Sequence, residues 1–249
     1  IFKKLYDDKL IYRGERIVNW CPRCETTLAN DEVEYRTVNA ELYYIRYPMS
    51  KQKGGLTITT TRPETMLADT AIAVHPKDNR YQKYIGQNVM LPLINRELTI
   101  IADEQVDREF GTGVLKITPG HDHLDFEIGQ RHRLPIINMF TKEGKIDVRE
   151  STDHGFEEYA NLTAAEARAK VVEELKKAGC LEKVERLAHN VGFCYRCNSV
   201  VEPMVSKQWF VAVNKKIPDR KYSLKEIAAS AVKTGAIKIT PKRFEKIYL

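Results

Sequence analysis

The sequence predicts a mixed α/β protein: a strand-rich body curled into a small barrel or sheet, peripheral helices, and a knuckle made from two cysteine hooks. Three observations carry this expectation. The runs LTITTT, TAIAVH, LTIIAD and GVLKIT are rich in Thr, Ile and Val and are bounded by Pro, Gly, Asn and Asp, as strands are. Two later stretches combine helical periodicity with capping residues. Four of the five cysteines form two C-x-x-C pairs, Cys21 with Cys24 and Cys194 with Cys197, separated by residues 25 to 193.

In order along the chain, Phe2, Leu5 and Tyr6 recur at helical spacing before Gly14, which predicts a short leading helix that stops there. The opening at Ile1 reads as part of a longer chain. The hooks NWCPRCETTL and GFCYRCNSVV can supply four thiolates to a tetrahedral zinc with no open position, a structural metal. Redox pairs or unliganded thiols are the alternatives. If the hooks meet, the residues between them form an insertion-like body whose two ends are neighbours. Thr163 and Glu166 form a capping box ahead of Ala164, Ala167, Val171, Leu175 and Ala178, and Gly179 closes that helix. After the second hook WFVAV reads as a strand, and Ser223 with Glu226 opens a helix that runs to Gly235. The resulting division is 1–40 for the leading helix and first half of the knuckle, 41–188 for the body, 189–213 for the second half and return strand, and 214–249 for a linker, helix and strand.

Composition excludes several classes. With 43% apolar and 30% charged residues, and only 13 Gly and 10 Pro, the 249 residues are neither disordered nor collagenous. No apolar run approaches the roughly 18 residues of a membrane span. No basic-then-apolar leader opens the sequence, so nothing points to secretion. A net charge of +6 suits a polyanionic partner such as nucleic acid without requiring one.

Two peptides could carry chemistry. In TTTRPETMLADT, Pro63 breaks a strand, so that Thr60, Thr61, Arg62, Glu64 and Thr65 fan out around its end. The plain reading is a threonine-rich strand followed by a proline turn. In FGTGVLKITPGHDHLDFEIG, Pro119 and Gly120 deliver the chain to a helix start with Asp122 as N-cap and Asp125 in the first turn, positions that hold both carboxylates ionised. Capping alone also accounts for both acids. His121, His123 and Asp125 partly match the H-x-H-x-D-H motif of metallo-β-lactamase-like hydrolases, but Phe126 occupies the place of the last histidine and cannot ligate a metal. His75, His132, His154 and His189 stand without spacing partners, as surface or capping histidines do. The tetrapeptide PMSK at 48–51 is a weak echo of a nucleotide-binding loop.

Taken together, NWCPRC, TTTRPETMLADTAIAVHP, FGTGVLKITPGHDHLDFEIGQRHRLP and the WF beyond the second hook resemble the inserted editing domain of the valyl-tRNA synthetases, over nearly the whole chain. The resemblance implies the editing fold, a cytoplasmic, monomeric setting within a longer synthetase, and hydrolysis of threonine misattached to tRNA(Val). It implies that Asp125 binds the α-ammonium, with Thr65 the second catalytic residue. Thr60, Thr61, Arg62, Pro63 and Glu64 would surround the terminal nucleotide and ester. Asp69, Lys116, Thr118 and Asp122 would complete the amino-acid side, and Phe110 would pack on the adenosine. Gly120 departs from a pattern that often has Ala there. No adenylation site is expected, nor a catalytic metal. The alternatives are an isoleucyl or leucyl editing domain, or a module that only binds the tRNA acceptor end. A second site is needed because an apolar valine pocket rejects threonine by only about a hundredfold, the established figure for such pockets.

Overall fold

The computed structural model describes residues 1–149 and 155–249; His154 lies outside them. The elements begin with α1 (Phe2–Asp7), β1 (Ile11–Cys21), β2 (Thr26–Leu28), β3 (Val33–Pro48) and β4 (Gly55–Thr60). A 3-10 turn, Pro63–Ala68, leads to β5 (Ala71–Val74), β6 (Asn88–Met90), β7 (Glu97–Ala102) and β8 (Val114–Ile117). Then come α2 (His123–His132), α3 (Ala164–Lys177), β9 (Leu181–Cys194), β10 (Glu202–Val211), α4 (Leu224–Lys233) and α5 (Glu245–Tyr248). The chain divides into two compact units, Ile17–Val205 and a smaller one made of Ile1–Arg16 with Ser206–Leu249.

The larger unit holds the core. Its sheet β6-β7-β5-β8 is mixed, with β5 parallel to β7 and antiparallel to β8. Every residue of β5 is fully buried, and its period of two divides labour between the faces. Ile72 and Val74 enter the main core with Ile58, Leu67, Leu98 and Phe140, while Ala71 and Ala73 face Ile117 and Ile128. The two alanines are small enough to let α2, which carries Ile128, lie close against this sheet. A second sheet, β4-β3-β9, pairs β3 with β9 from Val33 opposite Cys194 to Ile45 opposite Leu181. The third has the order β10-β1-β2.

These sheets are open, and among the described residues no barrel closes, which corrects the barrel-like expectation. The long β3–β9 ribbon draws strand length into a two-stranded arm instead of a cylinder. The leading helix ends at Asp7, Lys9 turns with a left-handed φ of 55°, and Gly14 lies within β1. The expected strand near the C-terminus is absent among the described residues: Ile237 is exposed and Pro241 interrupts the segment, so no ladder forms. The capped helices stand as expected. Thr163 caps α3, which buries Ala167, Val171 and Leu175, and Ser223 caps α4. None of the helices among the described residues is long and apolar enough to cross a membrane.

Candidate functional site

The end of β4 and the start of α2 meet at a cavity of about 190 Å3. Thr60, Thr61, Arg62 and Thr65 come from the strand end and the proline turn, Lys116 and Thr118 from β8 and its exit, and Asp122 and Asp125 from the cap and first turn of α2. Pro63 fixes the φ that turns the chain after Arg62. Thr60 accepts the Arg62 N–H at 3.0 Å, and Thr65 donates to the Arg62 carbonyl at 3.0 Å, so the bend is held by its own hydroxyls. Leu115, Leu124, Thr59 and His121 complete the wall.

Not every residue expected at the site reaches the cavity. Pro63, Glu64 and Asp69 are buried behind it, and Phe110, about half exposed, lines an adjoining recess of about 210 Å3 with Val106, Val114, Leu115 and Leu124. Gly111, beside Phe110, has a φ of 56°, and a Cβ there would meet Thr59 Oγ1 at 2.1 Å. At Gly120 a Cβ would meet the Ile137 carbonyl oxygen at 2.3 Å, so any side chain there would force the backbone apart. A groove of about 800 Å3 opens from Thr61, Arg62, His121 and Asp122 toward β3 and β9.

Behind the cavity lies a buried polar chain. Lys116 Nζ donates to Thr118 Oγ1 at 2.5 Å and to Asp69 Oδ1 at 3.2 Å, and Thr118 Oγ1 donates to the same Asp69 oxygen at 2.5 Å. Tyr47 donates to the other oxygen of Asp69 at 2.8 Å. Burial raises the Asp69 pKa, opposed by the Lys116 charge. The Thr118 N–H donates to Asp125 Oδ2 at 2.8 Å. Asp122 caps α2, accepting from the N–H groups of Leu124 at 2.8 Å and Asp125 at 3.1 Å.

The expectation that capping holds both acids ionised fails for Asp125. Its carboxylate faces the cavity wall and takes one backbone N–H, and its pKa is pushed up to about 7 by burial first and by the Asp122 charge second. Lys116 and the Thr118 N–H only partly offset this.

His121 is a residue whose role sequence reading missed. It is buried, accepts the Met139 N–H at Nε2 over 2.9 Å and faces the Pro203 carbonyl with Nδ1 at 3.3 Å. Burial, with the Arg62 charge, pushes its pKa down to about 3. Both ring nitrogens are therefore committed to backbone, and the ring is neither a base nor a ligand partner for His123, whose Nε2 meets Asn19 Oδ1 at 3.2 Å. Arg168 and Glu202 were missed too, because they lie more than 100 residues from the bend they contact. His132 meets Asp103 at 3.0 Å, away from the cavity, and His75 accepts the Lys77 N–H.

The hooks do converge. The Sγ atoms of Cys21, Cys24, Cys194 and Cys197 all lie within 4.8 Å of one another, and the Cys24 N–H points at Cys21 Sγ over 3.3 Å. Thiolates around a tetrahedral ion with bonds of about 2.3 Å stand roughly 3.8 Å apart, so the four could hold a metal ion. Cys180 is half-buried and elsewhere.

A family model for class I tRNA synthetases (I, L, M and V) matches residues 1–249. The chain belongs to that family. It is 49% identical over 249 residues to a valine-tRNA ligase of Carboxydothermus hydrogenoformans, covering all of this chain and 27% of the relative. A valine-tRNA ligase of Fusobacterium nucleatum is 51% identical over 248 residues, 26% of its length, and one of Thermotoga maritima 45% over 249 residues, 27% of its length. The chain thus spans about a quarter of the length of the curated relatives it matches.

Proposed function

We propose that this chain is the editing region of a valyl-tRNA synthetase and hydrolyses the ester of threonine misattached to tRNA(Val). The observation that carries the reading is a small cavity lined by both the buried carboxyl of Asp125 and the ammonium group of Lys116. Two of the three Nζ protons go to Asp69 and Thr118. The third is available to a substrate oxygen. Threonine offers a hydroxyl there; valine would leave the buried donor unpaired, at a penalty of about 1–3 kcal/mol.

Asp125 receives the α-ammonium, whose charge draws the carboxyl back to its ionised form. The small cavity fits the amino acid, and the apolar recess beside Phe110 fits the adenine ring. Thr65, whose proton goes to the Arg62 carbonyl, presents lone pairs that orient a water toward the ester carbonyl. Among the described residues no Ser or Cys stands beside a free imidazole at the site, since His121 is committed to backbone. Water attack, favoured by positioning and by fixed donors, is the chemistry that remains. Four thiolates suit zinc, which would tie the two hooks together structurally. The partners are the acceptor end of tRNA(Val) and the rest of the synthetase.

The test is to incubate the protein with tRNA(Val) charged with threonine or with valine and follow ester loss, with and without a chelator. Selective loss of threonine, resistant to the chelator and abolished by Asp125→Ala, is expected. Survival of both esters overturns the hydrolytic reading.

A further inference from the structure

Arg62 is held on two edges. Its Nε donates to Glu64 Oε1 at 3.1 Å and its Nη2 to Glu202 Oε2 at 2.5 Å. Glu64, fully buried, also takes a fork from Arg168 of α3, with Nε on Oε2 and Nη2 on Oε1, both at 2.8 Å. Charges alternate in the order Arg168, Glu64, Arg62, Glu202 and sum to zero. Burial alone would push Glu64 upward, but the hydrogen bonds from Arg168 and the two guanidinium charges outweigh it and hold its pKa below the usual range. The row joins three segments remote in sequence: the proline turn, the second turn of α3 and the first residue of β10.

We propose that Glu202 and Arg168 are positioning residues that fix the Arg62 guanidinium in the cavity wall, Glu202 by direct contact and Arg168 through Glu64. The proposal rests on the reading that Arg62 contacts the bound substrate. A flexible arginine must lose its rotamer freedom when it binds, and immobilising it beforehand removes that loss from the binding step. With Nε and Nη2 engaged, Nη1 remains the guanidinium group without a partner among the described residues, and it is the donor offered to a ligand. Because the row is neutral as a whole, it supplies a directed donor without drawing anions in by net charge. It also explains why Glu64, fully buried, belongs to the bend without touching the cavity.

The test has two arms, both on the 249-residue protein. In the first, the Arg62 Nε–Hε signal is followed by NMR in the free protein. It should be sharp and protected from exchange in the wild type, and broadened or exchanging in Glu202→Gln and in Arg168→Lys, which keeps the charge but loses the fork. In the second, steady-state hydrolysis of threonyl-tRNA(Val) should show KM raised about tenfold in Glu202→Gln with kcat within about twofold. In an Arg62→Ala background, Glu202→Gln should leave KM unmoved. A purely structural role would lower kcat or the folded fraction and give additive effects. A mobile Arg62 in the wild type, an unchanged signal in the variants, or additive KM changes overturns the proposal. If the wild type hydrolyses nothing, the proposed function fails while the NMR arm still decides the positioning. If Glu202→Gln does not fold, Arg168→Lys carries both arms.

Discussion

Replacing Asp125 with Asn should abolish hydrolysis and stabilise the protein, and the gain should grow with pH. Asn has the same shape and still accepts the Thr118 N–H, but it has no charge to bury beside Asp122. The Asp125 carboxyl rises from 3.8 to about 7 on folding. Each unit is worth 1.36 kcal/mol, so the ionised group weakens the fold by up to about 4 kcal/mol. The folded pKa is above the unfolded one, so the folded state holds the proton longer. Below pH 3.8 both states are protonated and the two proteins differ little. Between about pH 4 and 7 the wild type loses up to about 1.4 kcal/mol per pH unit relative to Asp125→Asn, and above 7 the difference levels off. The expected gap is about 1.6 kcal/mol at pH 5 and about 4 kcal/mol at pH 8. Urea titrations read by fluorescence measure it. Trp20 lies in the same unit as Asp125 while Trp209 does not, so a Trp209→Phe background isolates the relevant transition. A gap that does not change with pH, or an Asn variant that is less stable at pH 8, would refute the assignment of Asp125 as a buried carboxyl with a raised pKa.

The same carboxyl should shape activity: kcat/KM for threonyl-tRNA(Val) rises as Asp125 ionises near pH 7 and falls as the substrate α-ammonium deprotonates near about 7.7–8.0, giving a narrow bell; a flat profile from pH 6 to 9 would contradict it. Thr118→Val should destabilise by about 1–3 kcal/mol, since Lys116 and Asp69 each lose a partner, and should narrow the preference for threonine over valine; melting and paired deacylation rates report the two effects. Gly111→Ala combines a left-handed φ with a Thr59 clash, so a loss of about 1–3 kcal/mol is expected in thermal unfolding. Elemental analysis should find one metal per chain, lost in Cys24→Ser, with faster amide exchange from Cys21 to Leu28 and unchanged protection in α3.

The sequence made some elements legible and hid others for physical reasons. β4, β5, β7 and β8 announce themselves because each buries apolar or β-branched residues, and α3 and α4 because a capping box is local chemistry that needs no tertiary context. The hooks offered four thiolates by their spacing, but that they meet is seen only in the fold. The long strands β3 and β9 escaped notice because most of the ribbon stays in contact with water on both faces: LEKVERLAHN has no clean alternation, and its order comes from the partner strand. The open sheets followed from that missing arm. At the site, the bend and the cap were visible as peptides, whereas Arg168 and Glu202 were not, since an ion-pair partner over 100 residues away leaves no spacing to read. Tyr47 was missed because its bond to Asp69 joins β3 to the far end of the proline turn, a contact that only the fold creates. The raised Asp125 pKa depends on burial, which a capping pattern does not reveal.

The convergence of Cys21 with Cys197, whose sulfurs stand 3.4 Å apart, has a mechanical consequence. With an ion bound, residues 25 to 193 become a closed ring. Tension applied at positions 17 and 205 would run through the metal–thiolate bonds and bypass β4, the proline turn and α2. The cavity would then keep its shape while the chain outside the ring is pulled, much as a knot isolates a loop of cord from strain on its ends.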